Sequence, residues 1–149
     1  MFRGNHPAKI DEKGRLKMPA AFKQQLDVQN VTQFFVTSRN GKRAEIWPLP
    51  EWEKVEARLA RASDMDPAVE QYLDLVNYYG QQVEMDNQGR ILLPQILRSK
   101  AKLDAEVAVL GSGLFVSVYN QADFEKQMPV DGMSEENRKL VAAILTPQI

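Results

Sequence analysis

A short polar turn occurs twice in this chain, and its recurrence limits what the chain can fold into. Asp11-Glu12-Lys13-Gly14-Arg15 is followed by Leu16 and then by Pro19. Asp86-Asn87-Gln88-Gly89-Arg90 is followed by Ile91 and then by Pro94. The copies start 75 residues apart, at positions 11 and 86, and Asp, Gly, Arg and Pro keep the same internal spacing in both. Four special residues matched in register are hard to obtain by chance. The chain therefore reads as two copies of one supersecondary unit.

Each copy predicts the same run of short elements. Ala8 to Ile10 and Leu16 to Met18 read as strands flanking the first turn, with Leu16 and Met18 on one face and Arg15 and Lys17 on the other. Gly14 and Gly89 suit a backbone with positive φ, and Asp11 and Asp86 suit a carboxylate that accepts from turn amides. Pro19 opens a helix through Leu26, with Phe22 and Leu26 inward. A hairpin follows, Gln33 to Thr37 and Ala44 to Trp47, around Asn40-Gly41. Glu51 to Arg61 reads as a helix with Trp52, Val55 and Leu59 on one stripe. Residues 63–67 read as a break, Ala68 to Tyr79 as a helix, and Gly80 as its cap.

In the second copy Val83 to Leu93 reads as strand, turn, strand. Pro94 to Lys100 reads as a short helix burying Ile96 and Leu97, and Glu106 to Leu110 and Leu114 to Tyr119 read as the hairpin. Trp47, Trp52, Glu53 and Lys54 match Tyr119, Phe124, Glu125 and Lys126 at an offset of 72, so the second unit is three residues shorter, with its hairpin turn the expected place. Ala122 to Met128 and Glu135 to Leu145 read as closing helices, the last capped by Ser134 and carrying Leu140, Val141 and Ile144 on its apolar side.

One unit has too few core residues to stand alone, so two copies are expected to pair about a pseudo-two-fold axis and share a β core. The expected organisation is repeat 1 over residues 1–54, a helical connector over 55–81, repeat 2 over 82–127, and a C-terminal helix and tail over 128–149.

Composition narrows the chemistry. Hydrophobic residues make up 44% and charged residues 26% of the 149, an ordinary globular balance. With no cysteine, disulfides and thiolate metal sites are excluded, and a reducing cytoplasm is the natural compartment. No membrane-length apolar run is present, and residues 1–7 offer no apolar core for a secretion signal, so none is expected. The net charge of −1 hides a polarity: residues 1–23 hold six Lys and Arg against two acids, whereas residues 51–79 hold seven acids against three Lys and Arg.

Catalysis finds little support. His6, the sole histidine, is expected on the surface near a mobile terminus. No nucleophile and base pair and no Gly-rich phosphate loop is available. The remaining enzymatic reading is an acid/base dyad of Asp11 and Asp86, which the neighbouring arginines disfavour by lowering both carboxylate pKa values. Each turn arginine can close its turn by pairing with the aspartate, and can also present a planar guanidinium to phosphate or to a guanine edge. Lys13 and Lys17 add charge beside the first turn, where the second has Gln88 and Leu92. The first turn is thus the expected main surface for a polyanion.

These residues carry a resemblance. Met1-Phe2-Arg3-Gly4, Asp11-Glu12-Lys13-Gly14-Arg15-Leu16 with Pro19, Pro48-Leu49-Pro50-Glu51-Trp52, and Asp86 with Gly89-Arg90-Ile91-Leu92-Leu93-Pro94 resemble the MraZ family. The resemblance runs from residue 1 to about residue 126. It implies an α+β fold with a pseudo-two-fold β-barrel core of swapped-hairpin AbrB type, built from two tandem repeats with helices between and after them. It also implies a cytoplasmic, nucleoid-associated transcriptional regulator that assembles as a ring. Its partner would be double-stranded DNA: short direct repeats upstream of the division and cell-wall gene cluster, including its own promoter.

Arg15 is implied as the leading DNA contact, with Arg3 and Arg90 following and Lys13 and Lys17 adding charge. Asp11, Gly14, Asp86 and Gly89 are assigned to turn structure. No cofactor, metal, membrane or small-molecule substrate is expected. Two other readings stay open at this point: an AbrB-like protein-interaction or antidote module, and the aspartate-dyad hydrolase.

Overall fold

The structure, a computed structural model, describes residues 1–62 and 66–147. The class is mixed α+β, with six helices and an antiparallel sheet among the described residues. In chain order the elements are β1 Asn5–Lys9, β2 Arg15–Lys17, α1 Ala20–Val28, β3 Gln33–Thr37, β4 Ala44–Pro48, α2 Leu49–Ala60 and α3 Pro67–Tyr79. They continue with β5 Gln81–Glu84, β6 Arg90–Leu92, α4 Gln95–Ala101, β7 Glu106–Gly111, β8 Val116–Asn120, α5 Gln121–Gln127 and α6 Glu135–Leu145. No helix among the described residues is long and apolar enough to cross a membrane.

The two repeats exchange strands. The sheet order is β1-β7-β8-β4-β3-β5, which reads as the same alternation of repeats from either end. The first strand of each repeat lies against the hairpin of the other, β1 on β7 and β5 on β3. The hairpins meet at β4 and β8, where Glu45 faces Ser117, two positions related by the 72-residue offset. The short strands β2 and β6 pair only with each other, centred on Leu16 opposite Ile91, two positions related by the 75-residue offset. An approximate two-fold axis thus relates the halves of both sheets.

Among the described residues the six-stranded sheet runs from β1 to β5 without closing on itself. The physical reason is the three-residue length of β2 and β6, which are spent on each other and add only an isolated bridge, Ile10 to Leu16, to the strand before the turn. The gap is filled by side chains. Leu16, Met18, Phe22, Leu26, Ile91, Leu93 and Leu97 form one buried cluster with Phe34, Val36, Ile46, Val107 and Val118. Neither repeat owns this core, so neither can bury it alone.

Several expectations need correction. The three missing residues fall in a helix and not in the hairpin turn. Pro19 and Pro94 open α1 and α4 at an offset of 75, but the left-handed residues that end these helices, Asn30 and Lys102, are 72 apart. Leu97 is buried, but Ile96 is exposed: in so short a helix the inward stripe is Leu97 and Ala101, at i and i+4. Gly80 ends α3 as expected, in extended geometry. It is required there, since a Cβ would strike the Phe35 ring and the Val76 carbonyl.

The N-terminus is tied down: Phe2 is buried and exchanges backbone hydrogen bonds with Gly113, at 2.7 and 3.1 Å. His6 is half-buried with its ring 4.7 Å from that of Phe22. The expected break at 63–67 lies partly outside the described residues, but Asp66 caps α3, accepting from Ala68 N at 2.9 Å. α6 is capped by Ser134, and Leu140, Val141, Ile144 and Leu145 all remain exposed.

Candidate nucleic-acid interface

Each turn is built by its aspartate. Asp11 Oδ1 accepts from Lys13 N at 3.0 Å and Arg15 N at 2.8 Å, and Oδ2 accepts from Arg15 Nε at 2.8 Å. Asp86 repeats the set with Gln88 N at 2.9 Å, Arg90 N at 2.9 Å and Arg90 Nε at 2.7 Å. The glycines take positive φ, +83° at Gly14 and +76° at Gly89, a region a Cβ disfavours. Hydrogen bonds to the backbone amide of Arg15 or Arg90, seconded by the guanidinium, hold both aspartates below the usual carboxylate range. The two carboxyls are shifted the same way, whereas a working acid/base dyad needs its two pKa values pushed apart.

The turns also hold each other. Leu93 N donates to Gly14 O at 3.0 Å, and Met18 N donates to Gly89 O at 2.8 Å. A cation from the other repeat covers each glycine. A Cβ on Gly14 would strike the guanidinium of Arg98, which is anchored by Nε donating to Leu93 O at 2.9 Å. A Cβ on Gly89 would lie 3.0 Å from Lys23 Cδ. Positions 23 and 98 are related by the same 75-residue offset. Sequence reasoning passed over this pair, although a cation at both positions was the signal that could have found it.

The β2–β6 ladder decides where the arginines point. Leu16 and Ile91 are fully buried, so the alternate positions face outward. These are Arg15 opposite Leu92, and Lys17 opposite Arg90. Both turn arginines therefore share one outer face with Lys17. The arginine side chains are 26% and 27% exposed. Each is committed to its aspartate through Nε, and among the described residues its Nη atoms make no hydrogen bond, which leaves the outer edge of the fork for a ligand. Lys13 is exposed on the first turn. Arg3 is not part of this face: it is exposed beyond the far end of β1, its backbone against Gly111, and the five-residue strand separates it from the turn by roughly 17 Å.

A second polar cluster sits where the hairpins meet. Glu45, 2% exposed, accepts from Arg39 N at 3.0 Å, Arg39 Nη2 at 2.9 Å and Trp47 Nε1 at 3.2 Å. The hydrogen bonds to Glu45 raise the Arg39 pKa. Arg39 and Arg43 also lie over the Phe115 ring. Among the described residues Arg43 Nε is the one buried polar atom of this cluster without a hydrogen bond, and it lies 3.9 Å from Glu45 Oε2, so the cluster braces the hairpins. No group of three or more His, Cys, Asp or Glu residues able to hold a metal occurs among the described residues.

The family described as "MraZ protein, putative antitoxin-like" matches residues 1–75 and 80–142. A protein of Acidobacterium capsulatum named "Transcriptional regulator MraZ" is 54% identical over 142 residues, covering 95% of this chain and 97% of its own. Proteins with the same name from Koribacter versatilis and Thiobacillus denitrificans are 44% and 38% identical. The first match covers 95% of this chain and 97% of the relative; the second covers 86% of each. With its tandem turns, exchanged strands and matches over nearly its whole length, this chain belongs to the MraZ family.

Proposed function

We propose that this protein is a non-enzymatic transcriptional regulator that binds double-stranded DNA through the outer face of the β2–β6 ladder. The observation that carries this reading is the ladder register, which brings Arg15 and Arg90 to one face with Lys17 beside them. A two-stranded ribbon fits the DNA major groove, and an arginine fork matches phosphate or the O6/N7 edge of guanine. Asp11 and Asp86 orient each guanidinium through Nε and leave its outer edge for that contact. The relatives' name supports regulation of transcription. On this reading Arg15, Arg90, Lys17 and Lys13 contact DNA, Arg3 contributes from the side, and Asp11, Gly14, Asp86 and Gly89 set the turns.

The finer proposals rest on the family resemblance. The exchanged strands correspond to an AbrB-type swapped-hairpin barrel whose closure is made by side chains. The targets are short direct repeats upstream of the division and cell-wall genes, including the protein's own promoter. The working form is a ring-shaped oligomer in the cytoplasm, on the nucleoid. One ladder makes few contacts and binds weakly; successive protomers on successive repeats gain about 10²–10⁴ by avidity. The apolar residues of α6, all in water in the single chain, support association between chains. A protein-interaction or antidote module is the second reading, favoured by the "antitoxin-like" wording of the family description and by that same exposed helix.

The test is fluorescence anisotropy with duplex from upstream of the protein's own gene and with random duplex of equal length, between 50 and 200 mM salt. The reading expects preference for the upstream duplex and a steep loss of affinity with salt. Equal binding to both duplexes, or none, contradicts it.

A further inference from the structure

The ladder is symmetric in its core and asymmetric on its outer face. About the Leu16–Ile91 centre, Arg15 is equivalent to Arg90, and Lys17 is equivalent to Leu92. The arginines keep the two-fold symmetry, and the second pair breaks it. Leu92 is 45% exposed, directly opposite Arg15, on the strand face turned away from buried Ile91 and Leu93. A lone exposed leucine is unremarkable on most surfaces. Here it occupies the one position of a four-residue cationic face that carries no charge, and the equivalent position holds lysine.

A symmetric face would bind an asymmetric DNA element equally well in either of two orientations. An outer face of Arg, Lys, Arg and Leu cannot. Lysine favours phosphate or a guanine edge, while leucine has no hydrogen bond to offer and is best buried against an apolar group. The apolar group exposed in the major groove is the thymine C5 methyl.

We propose that Leu92 is a specificity-determining residue. It packs against a thymine methyl in the major groove, and with Lys17 it fixes the direction in which the chain lies on its DNA. This rests on the DNA-binding reading above. The cross-strand neighbours, a few ångströms apart, support it: Arg15 seats on the backbone or on guanine beside Leu92, and Arg90 does the same beside Lys17, so the two halves of the ladder read different bases.

The experiment replaces each thymine of the upstream duplex in turn by deoxyuridine, which removes only the methyl. Binding is measured for the wild type, Leu92→Ala and Leu92→Lys. In the wild type, removal of one methyl at the contacted thymine is expected to weaken binding about three- to fivefold, the worth of one buried methyl. In Leu92→Ala the same replacement is expected to have no effect. Leu92→Lys recreates the residue that the equivalent strand already carries, so its fold is secured by precedent within the chain. It is expected to lose the uracil effect while its salt slope steepens by about one. Wild-type binding indifferent to uracil at every thymine, or a uracil effect that survives both variants, overturns the role of Leu92 and leaves DNA binding standing. Wild-type protein that does not distinguish the upstream duplex from random DNA overturns the DNA reading itself.

Discussion

Substituting Gly14 and Gly89 by alanine should have unequal consequences, although the two turns are equivalent. Both residues have positive φ, and a Cβ there costs about 1–2 kcal/mol. At Gly14 the new methyl also displaces the Arg98 guanidinium and breaks its bond to Leu93 O, worth about 1–2 kcal/mol for a half-buried charged donor. At Gly89 the methyl meets only the flexible Cδ and Cε of Lys23, at 3.0 and 3.1 Å, which can yield at little cost. Gly14→Ala is therefore expected to cost about 2–4 kcal/mol and Gly89→Ala about 1–2 kcal/mol. Urea denaturation at one fixed protein concentration reads both, which matters if chains associate. In an Arg98→Ala background the cost of Gly14→Ala should fall to that of Gly89→Ala. Equal costs in the wild-type background, or a Gly14→Ala cost unchanged by removing Arg98, would refute the cross-repeat contact.

Acid should act on the turns in one direction. Asp11 and Asp86 have folded pKa values below their unfolded ones, so their contribution is complete above the ordinary aspartate value and is lost as pH falls through the depressed values. The urea midpoint is expected to be level from pH 7 to about 5 and to drop below about pH 4, with Asp11→Asn/Asp86→Asn flattening part of that drop. At the hairpin junction, Glu45→Ala is expected to cost about 3–5 kcal/mol because it strands Trp47 Nε1 and two arginines, whereas Ser117→Ala at the equivalent position should cost only about 1 kcal/mol. The same denaturation measurement checks both.

The repeat was legible because its turns demand particular residues. A carboxylate, a glycine and an arginine at fixed spacing leave a mark that core residues, interchangeable among Leu, Ile and Val, do not. Alternation located the strands but not their ends: β1 runs Asn5–Lys9 where it reads as Ala8 to Ile10, and β8 runs Val116–Asn120 where it reads as Leu114 to Tyr119; Phe22 and Leu26 followed from helical spacing. Pairing partners were less accessible. Alternation shows that Arg15 and Lys17 face outward, but only the exchange of strands puts Arg90 on the same face. Arg98 and Lys23 were missed because they act on the other repeat's turn, contacts no local pattern encodes. Ile96 misled because a helix of seven residues is too short for its apolar stripe to be read without its neighbours.

Most direct for the central claim is the affinity of Arg15→Ala, Arg90→Ala and the double variant for the upstream duplex, with oligomeric state followed by sizing. Each arginine lies on the shared face and is replaceable without touching the core. The account predicts that each single variant loses about 1–3 kcal/mol of binding per contacting chain, that the double variant loses specific binding altogether, and that all three keep the wild-type assembly. Undiminished binding by the double variant, with the assembly intact, would contradict it.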